Sequence, residues 1–148
     1  MNKPYILLVE DNTDDIELTQ RAFAKNHIAN EVVVVRDGEQ ATSFLFDDGV
    51  RGERPMPQLI LLDVNLPKIT GLEVLQRIRS DERTRLLPTV ILTSSKQEED
   101  LVESYRLGVN SYVRKPVDFN EFVEAVRQVG LYWLVLNEPP PAMGSAGM

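Results

Sequence analysis

Chemically active side chains follow four strand-like stretches of this sequence, each at the point where the stretch ends. They are Glu10 and Asp11 after 5–9, Asp63 after 59–62, Thr93 as the last residue of 88–93, and Lys115 after 109–114. Short apolar runs of this kind are typical of strands that are buried on both faces of a parallel sheet. Because ligands bind beyond the carboxyl ends of such strands, we expect these side chains to share one edge of a sheet.

The chemistry of these side chains follows from their charges. With a strand order of 2-1-3-4-5, strands one and three are neighbours, and the three carboxylates come together and need a counter-charge. Carboxylate oxygens without His or Cys suit Mg²⁺ or Mn²⁺ rather than zinc. Lys115 would supply a positive charge for phosphoryl oxygens, and Thr93 a hydroxyl donor. Together these groups predict the transfer of a phosphoryl group to the carboxylate of Asp63.

Strands and helices are predicted to alternate along the chain. The predicted strands lie at 5–9, 31–35, 59–62, 88–93 and 109–114. The predicted helices run from about 13 to 25, after 38, from about 70, from about 97 to 107, and from about 118 to 136. Segment 47–57 is rich in Gly, Pro and charge, which predicts a loop. This alternation predicts an α/β fold, a flavodoxin-like doubly wound (βα)5 with a parallel five-stranded sheet of order 2-1-3-4-5.

Composition narrows the possible classes of protein. The 148 residues are 43% hydrophobic and carry a net charge of -7, which predicts one globular domain and argues against nucleic acid as a partner. The chain has no cysteine, a composition that suits a reducing compartment. No signal peptide and no membrane-spanning run is recognisable, so we expect a cytoplasmic protein. The domain is predicted to span 1–137, with a disordered Pro-rich tail at 138–148.

Four motifs in register resemble the receiver domain of two-component response regulators of the CheY type. They are Glu10-Asp11, Leu-Leu-Asp-Val-Asn-Leu-Pro at 61–67 with Gly71 downstream, Thr93-Ser94-Ser95, and Tyr-Val-Arg-Lys-Pro at 112–116. The resemblance covers about 5–136. The long 47–57 loop and the Tyr-Trp-Leu segment at 132–134 are most similar to the small single-domain regulators that serve phytochrome-type sensor kinases.

The resemblance implies a role for each matching residue. Asp63 would accept a phosphoryl group from a phosphohistidine of a sensor histidine kinase. Asp11 and Asp63 would bind Mg²⁺ directly with the backbone carbonyl of Asn65, and Glu10 would act through a metal-bound water. In the same family Thr93 and Lys115 hold phosphoryl oxygens, the Lys115–Pro116 peptide is expected to be cis, and the side chains at Asn65 and Ser95 tune the phosphate lifetime.

Signalling in the family is a population shift between two packings of the domain. Tyr112 matches the aromatic residue that turns inward as Thr93 moves toward the phosphate. No output domain is recognisable after the receiver, so we expect the phosphorylated form to act by docking, by changing a dimer, or by passing the phosphoryl group on.

The predicted last helix carries more apolar surface than one helical face can bury. Residues 129–136 are apolar all round except for one glycine, and such a patch usually marks an interface. We therefore predict a symmetric homodimer through Leu131, Tyr132, Trp133 and Leu134. The alternative is that a larger core or the tail covers this surface.

Two other functions share parts of the pattern. A phosphatase of the haloacid-dehalogenase type also uses Asp, Thr, Lys and Mg²⁺, but its nucleophile follows the first strand in an Asp-x-Asp pattern, whereas Asp63-Val-Asn65 follows the third. A pseudo-receiver would be an interaction module without phosphoryl chemistry. All the expected site residues are present, so the phosphorylatable receiver is the preferred prediction, as a phosphoacceptor and not a classical enzyme.

Overall fold

The computed structural model describes residues 3–141. Its five strands are β1 (Tyr5–Val9), β2 (Glu31–Val35), β3 (Leu59–Leu62), β4 (Thr89–Thr93) and β5 (Ser111–Arg114). Its helices are α1 (Thr13–Lys25), α2 (Gly38–Phe46), α3 (Asp48–Arg51), α4 (Gly71–Ser80), α5 (Glu98–Arg106) and α6 (Phe119–Gly130), followed by a π-helical segment (Leu131–Leu136).

All strand pairs are parallel, and the sheet order is β2-β1-β3-β4-β5, as the sequence predicts. The three central strands are buried along their whole length, whereas β2 and β5 at the edges are only partly buried. Runs such as Leu-Ile-Leu-Leu in β3 place apolar side chains alternately on the two faces of the sheet. Both faces therefore need a cover of helices, which fixes the flavodoxin-like architecture.

Two apolar cores form, one on each face of the sheet. One contains Leu7 and Val9 of β1 with residues of α2 and α4, and the other contains Ile6 and Leu8 with residues of α1 and α6. Each core forms because successive strand residues point to opposite faces. This sandwich holds the carboxyl ends of the strands in fixed register.

Short polar side chains cap most of the longer helices. Asn12, Asp37 and Asp118 each accept a hydrogen bond from a backbone N–H of the first turn of α1, α2 and α6. Thr70 and Glu73 form a reciprocal capping box at the start of α4. Such caps stabilise a helix by about 1 kcal/mol each and define where it begins.

Two predicted elements differ in type from the structure, and the strand predicted over 109–114 begins at Ser111. The predicted 47–57 loop contains the one-turn helix α3, because Asp47 caps it and Arg51 binds the carbonyl of Leu45 at 2.7 Å. The predicted single helix to Leu136 stops being α-helical at Gly130 and continues as a π-helical segment. Gly130 lies against Ile28, where a Cβ would come within 2.4 Å of the Ile28 Cδ1 atom.

The chain after the π-helical segment forms no helix or strand up to Pro141. The rest of the predicted disordered tail, 142–148, lies outside the described residues, as do residues 1–2. Among residues 3–141, no helix combines the length and the apolar character that a bilayer crossing requires.

Candidate functional site

The register of β1 against β3 brings two carboxylates together. Val9 pairs with Leu62, so that Glu10 and Asp63 follow side by side at the carboxyl edge of the sheet. The backbone N–H of Asp63 donates to the Val9 carbonyl at 3.1 Å and extends the ladder by one residue. Both side chains are almost fully buried, at 2% exposure for Glu10 and 5% for Asp63.

The two oxygens of Asp63 have different partners. Oδ1 accepts a 2.6 Å hydrogen bond from Thr93 Oγ1 and a 3.0 Å hydrogen bond from the backbone N–H of Asn65. Oδ2 faces the ammonium of Lys115 at 3.3 Å. The side chain is therefore held in one orientation, with Oδ1 on neutral donors and Oδ2 on the cation.

A glycine lets α4 begin directly beside Asp63. The N–H of Gly71 donates to the Val64 carbonyl at 2.9 Å, and a Cβ at position 71 would lie 2.0 Å from the Asp63 carbonyl oxygen. No other residue type fits there without a shift of the backbone. Gly71 thus fixes how closely the start of α4 approaches the site.

Lys115 enters the site from the end of β5. Its backbone N–H donates to the Thr93 carbonyl at 2.8 Å, and its side chain is only 7% exposed. The ammonium contacts Glu10 at 2.5 Å, Asp15 at 3.0 Å and Asp63 at 3.3 Å. The Lys115–Pro116 peptide is trans, so the predicted cis bond is wrong. Trans is the lower-energy form of most X–Pro bonds, and the side chain reaches the carboxylates in that form.

The charges in this cluster shift each other's ionisation. Burial raises the pKa of Glu10 to about 7, and the nearby carboxylate of Asp63 adds to the increase. The hydrogen bond from Lys115 lowers this pKa but does not cancel the effect of burial. Burial alone would lower the pKa of Lys115, but the carboxylates of Asp63, Glu10 and Asp15 raise it above its usual value. The ammonium therefore stays charged, and this one positive charge faces three carboxyl groups.

This donor set fits a hard divalent cation. Carboxylate oxygens of Glu10 and Asp63 lie at the ends of β1 and β3, and oxygen ligands of this kind suit Mg²⁺ and Mn²⁺. Asp11 is exposed beside this pair, and its carbonyl accepts a 3.1 Å hydrogen bond from Arg36. Asn65 is exposed just beyond Asp63. Among residues 3–141, no three acidic or histidine side chains already surround one metal position.

Thr93 is fully buried and does not cap the next helix, which starts at Glu98 without a side-chain cap. Its hydroxyl accepts a 3.2 Å hydrogen bond from the N–H of Ser95, whose own hydroxyl donates to Asp100 at 2.6 Å. Tyr112 packs inward against the core that contains Leu7 and Val9, and burial raises its pKa. The role of Tyr112 as a switch stays a prediction.

Asp15 is a site residue that the sequence interpretation missed. Its carboxylate in the first turn of α1 binds the Lys115 ammonium, although it follows no strand. The available signal was its place in the chain, because the first turn of a helix that directly follows β1 lies at the same edge of the sheet as Glu10.

The four residues predicted to form a dimer interface lie in two environments. Leu131 and Tyr132 are exposed, at 43% and 50%, whereas Trp133 and Leu134 are half-buried and pack against the core that contains Ile6 and Leu8. The Tyr132 and Trp133 rings make a T-shaped contact with centroids 4.9 Å apart. Val135 and Leu136 extend the exposed apolar surface.

Comparison with known proteins identifies close relatives of this chain. The model of the response regulator receiver domain family matches residues 6–127. Response regulator Rcp1 from Synechocystis sp. is 40% identical over 129 residues, which are 87% of this chain and 88% of Rcp1. The family match at residues 6–127 contains β3 to β5 entire and every residue of the site from Glu10 to Lys115.

Solved structures agree with this similarity over a longer stretch. The phosphorylated cyanobacterial phytochrome response regulator RcpA has a TM-score of 0.87 and 40% identity, with 93% of this chain and 98% of that chain covered. The Mn²⁺-bound form of response regulator Rcp1 has a TM-score of 0.86 and 38% identity, with 93% of this chain and 99% of that chain covered. The bacteriophytochrome response regulator RtBRR has a TM-score of 0.72 and 53% identity, with 99% of this chain and 89% of that chain covered.

Proposed function

This chain belongs to the response regulator receiver domain family, and we propose that Asp63 is the side chain that accepts a phosphoryl group from a sensor histidine kinase. The observation that carries the proposal is the set of donors around Asp63. Thr93 and the Asn65 N–H hold Oδ1, and Lys115 holds Oδ2. The protein is then a phosphoacceptor that carries a signal, and not a classical enzyme.

The proposed reaction is a direct displacement at phosphorus. A carboxylate oxygen of Asp63 forms an O–P bond while the N–P bond of the kinase phosphohistidine breaks, and its electron pair returns to the imidazole ring. The phosphoryl oxygens then take over the hydrogen bonds of Thr93 and Lys115. Both donors are buried and already point at Asp63, so little reorganisation is needed at the moment of transfer.

A divalent cation is the expected cofactor of this transfer. We infer that Mg²⁺ or Mn²⁺ is held by Asp11, Asp63 and the carbonyl of Asn65, with Glu10 acting through water. The bound ion would neutralise charge on the transferring phosphoryl group. The donor set of the site and the Mn²⁺-bound form of the relative Rcp1 support this assignment.

The experiment that tests the proposal is intact mass spectrometry after incubation with acetyl phosphate, with and without Mg²⁺. We expect the wild type to gain one phosphoryl group only with Mg²⁺, and Asp63→Asn to gain none. A control receiver that reacts in parallel validates the conditions. If the wild type stays unmodified while the control reacts, the protein is a pseudo-receiver that acts without phosphorylation.

We further propose a phytochrome-type sensor kinase as the phosphodonor and a cytoplasmic location for the pair. The support is the similarity to RcpA, a cyanobacterial phytochrome response regulator, and to RtBRR, a bacteriophytochrome response regulator. Transfer from purified phosphorylated kinases tests it. We expect a phytochrome-type kinase to label this protein faster than an unrelated histidine kinase does, and equal rates would refute this partner.

The proposed homodimer uses the exposed face of the π-helical segment, with Leu131 and Tyr132 at its centre. The support is the continuous exposed apolar surface that these residues form with Val135 and Leu136. Light scattering at tens of micromolar tests it with the variant Tyr132→Glu. We expect the wild type to be a dimer and the variant a monomer, and a monomeric wild type would contradict the interface.

A further inference from the structure

One of the three carboxylates that hold Lys115 does not belong to the proposed metal ligands. Asp15 lies in the first turn of α1, and its Oδ2 is 3.0 Å from the ammonium, closer than the 3.3 Å to Asp63. The Asp15 side chain is 32% exposed, whereas that of Lys115 is 7% exposed. Asp15 therefore binds the ammonium from the solvent side of the cluster.

The helix fixes Asp15 in this position. Its backbone N–H donates to the Asn12 side chain at 3.0 Å, and its carbonyl accepts a 2.8 Å hydrogen bond from Thr19. A carboxylate in the first turn is also favoured by the helix dipole. The backbone of Asp15 is thus held independently of Lys115, and the carboxylate extends from a fixed turn of α1.

The ammonium and a divalent cation need the same oxygens. Lys115 Nζ contacts Glu10 and Asp63, which are two of the residues proposed to hold the cation. Two positive charges repel each other strongly at such short separations in a buried site. When the cation binds, the ammonium must loosen its contact with Glu10 and Asp63.

We propose that Asp15 is a positioning residue that retains the Lys115 ammonium when the cation takes over Glu10 and Asp63. This inference rests on the proposed metal and phosphoryl function. Asp15 gives the ammonium a partner outside the ligand set and so lowers its competition with the cation. It also keeps Nζ near the carboxyl edge of the sheet, within reach of phosphoryl oxygens on Asp63.

Loss of the Asp15 carboxylate should lower the affinity of the site for a divalent cation. Without the Asp15 carboxylate, the ammonium stays on Glu10 and Asp63, and Mn²⁺ must displace it. We expect Asp15→Asn to weaken Mn²⁺ binding by about tenfold, the size of effect that outer-sphere partners of metal sites usually have. Asn keeps the shape and one acceptor oxygen but loses the charge.

Titration calorimetry with Mn²⁺ tests this statement in five proteins: the wild type, Asp15→Asn, Asp14→Asn, Lys115→Met and the double variant of Asp15→Asn with Lys115→Met. The matched control is Asp14→Asn, which removes the same charge from the neighbouring exposed position. The second test repeats Asp15→Asn in a Lys115→Met background. If Asp15 acts through Lys115, its substitution changes the affinity by less than about twofold once the lysine is absent.

Each result supports or overturns the inference. A tenfold loss in Asp15→Asn, a small change in Asp14→Asn and no loss in the Lys115→Met background support it. An Asp15→Asn effect of equal size without Lys115 overturns it, because Asp15 then acts on the metal through its charge alone. Wild-type binding with unchanged affinity in Asp15→Asn also overturns it while the metal site stands, whereas a wild type that binds no Mn²⁺ overturns both.

Discussion

Thr93 Oγ1 donates a 2.6 Å hydrogen bond to Oδ1 of Asp63, across the adjacent ends of β4 and β3. The donor residue is fully buried, and the acceptor residue is 5% exposed. A hydroxyl that already points at the proposed phosphoacceptor can move with the phosphoryl group when the latter arrives. The hydrogen bond therefore connects the chemistry at β3 with the chain that leads from β4 into α5.

Removal of the Thr93 hydroxyl should impair both stability and phosphorylation. Thr93→Val keeps the shape of the side chain but deletes the donor to Asp63, so we expect a loss of about 1–3 kcal/mol in the free energy of unfolding. We also expect slower gain of the phosphoryl group from acetyl phosphate. Urea denaturation and timed mass spectra measure these effects, with Thr93→Ser as the control that retains the hydroxyl. Equal phosphorylation rates in the Val and Ser variants would exclude a role for the hydroxyl.

Loss of the Lys115 charge should make the fold depend on divalent cations. In Lys115→Met, the buried carboxylates of Glu10 and Asp63 lose their counter-charge, so we expect a destabilisation of about 3–5 kcal/mol without metal. Mg²⁺ should restore much of that stability, because it binds only the folded site. Thermal unfolding with and without Mg²⁺ measures this, and exposed Lys96→Met serves as the control. A Lys115→Met variant as stable as the control in metal-free buffer would contradict the prediction.

A methyl group at position 71 should disturb the phosphoacceptor. The Cβ of Gly71→Ala would lie 2.0 Å from the Asp63 carbonyl oxygen, so either α4 or the end of β3 must shift. We expect a loss of about 1–3 kcal/mol in stability, as for other overpacked sites, together with slower phosphorylation. Gly52→Ala is the control, since its φ of 72° is strained for alanine but no atom lies within 4 Å. If Gly71→Ala is phosphorylated as fast as Gly52→Ala, the close approach of α4 to Asp63 has no functional importance.

Ionisation of the buried Tyr5 hydroxyl should lower the stability of the fold at alkaline pH. Burial raises the pKa of Tyr5 to about 12, and the hydroxyl donates to the Pro55 carbonyl at 2.6 Å. The folded state holds this proton more tightly than the unfolded state, whose pKa is near 10. The stabilisation is therefore complete below about pH 10 and is lost as the pH rises toward 12.

Comparison of the wild type with Tyr5→Phe isolates this contribution. At pH 8, we expect Tyr5→Phe to be less stable by about 1 kcal/mol because it lacks the hydrogen bond. Urea denaturation between pH 8 and 12 should then show this deficit shrinking as the pH rises above 10. A deficit that stays constant over the whole range would mean that Tyr5 ionises normally in the folded protein.

The sequence predicts the sheet and most of the site because both depend on local patterns. Apolar runs such as Leu59–Leu62 predict buried strands, and a charged residue that ends such a run must lie at the sheet edge. Those two rules place Glu10, Asp63 and Thr93 together without any knowledge of tertiary contacts.

The features that the sequence did not reveal depend on packing at a distance. Asp15 joins the site only because α1 points its first turn at Lys115, a contact between residues 100 positions apart. The change to a π-helical segment after Gly130 depends on how closely Ile28 approaches that glycine. The one-turn helix α3 depends on the contact of Arg51 with the carbonyl of Leu45. None of these contacts leaves a periodic signal in the chain.

The identity of the phosphorylated residue tests the central claim most directly. Borohydride reduces an aspartyl phosphate to homoserine, so peptide mapping after phosphorylation with acetyl phosphate and Mg²⁺ locates the modified residue. We expect homoserine at position 63 in the wild type, and none in Asp63→Asn. Homoserine at Asp11 or Asp15 in place of Asp63, or a phosphoryl group that borohydride leaves intact on a hydroxyl, would contradict it.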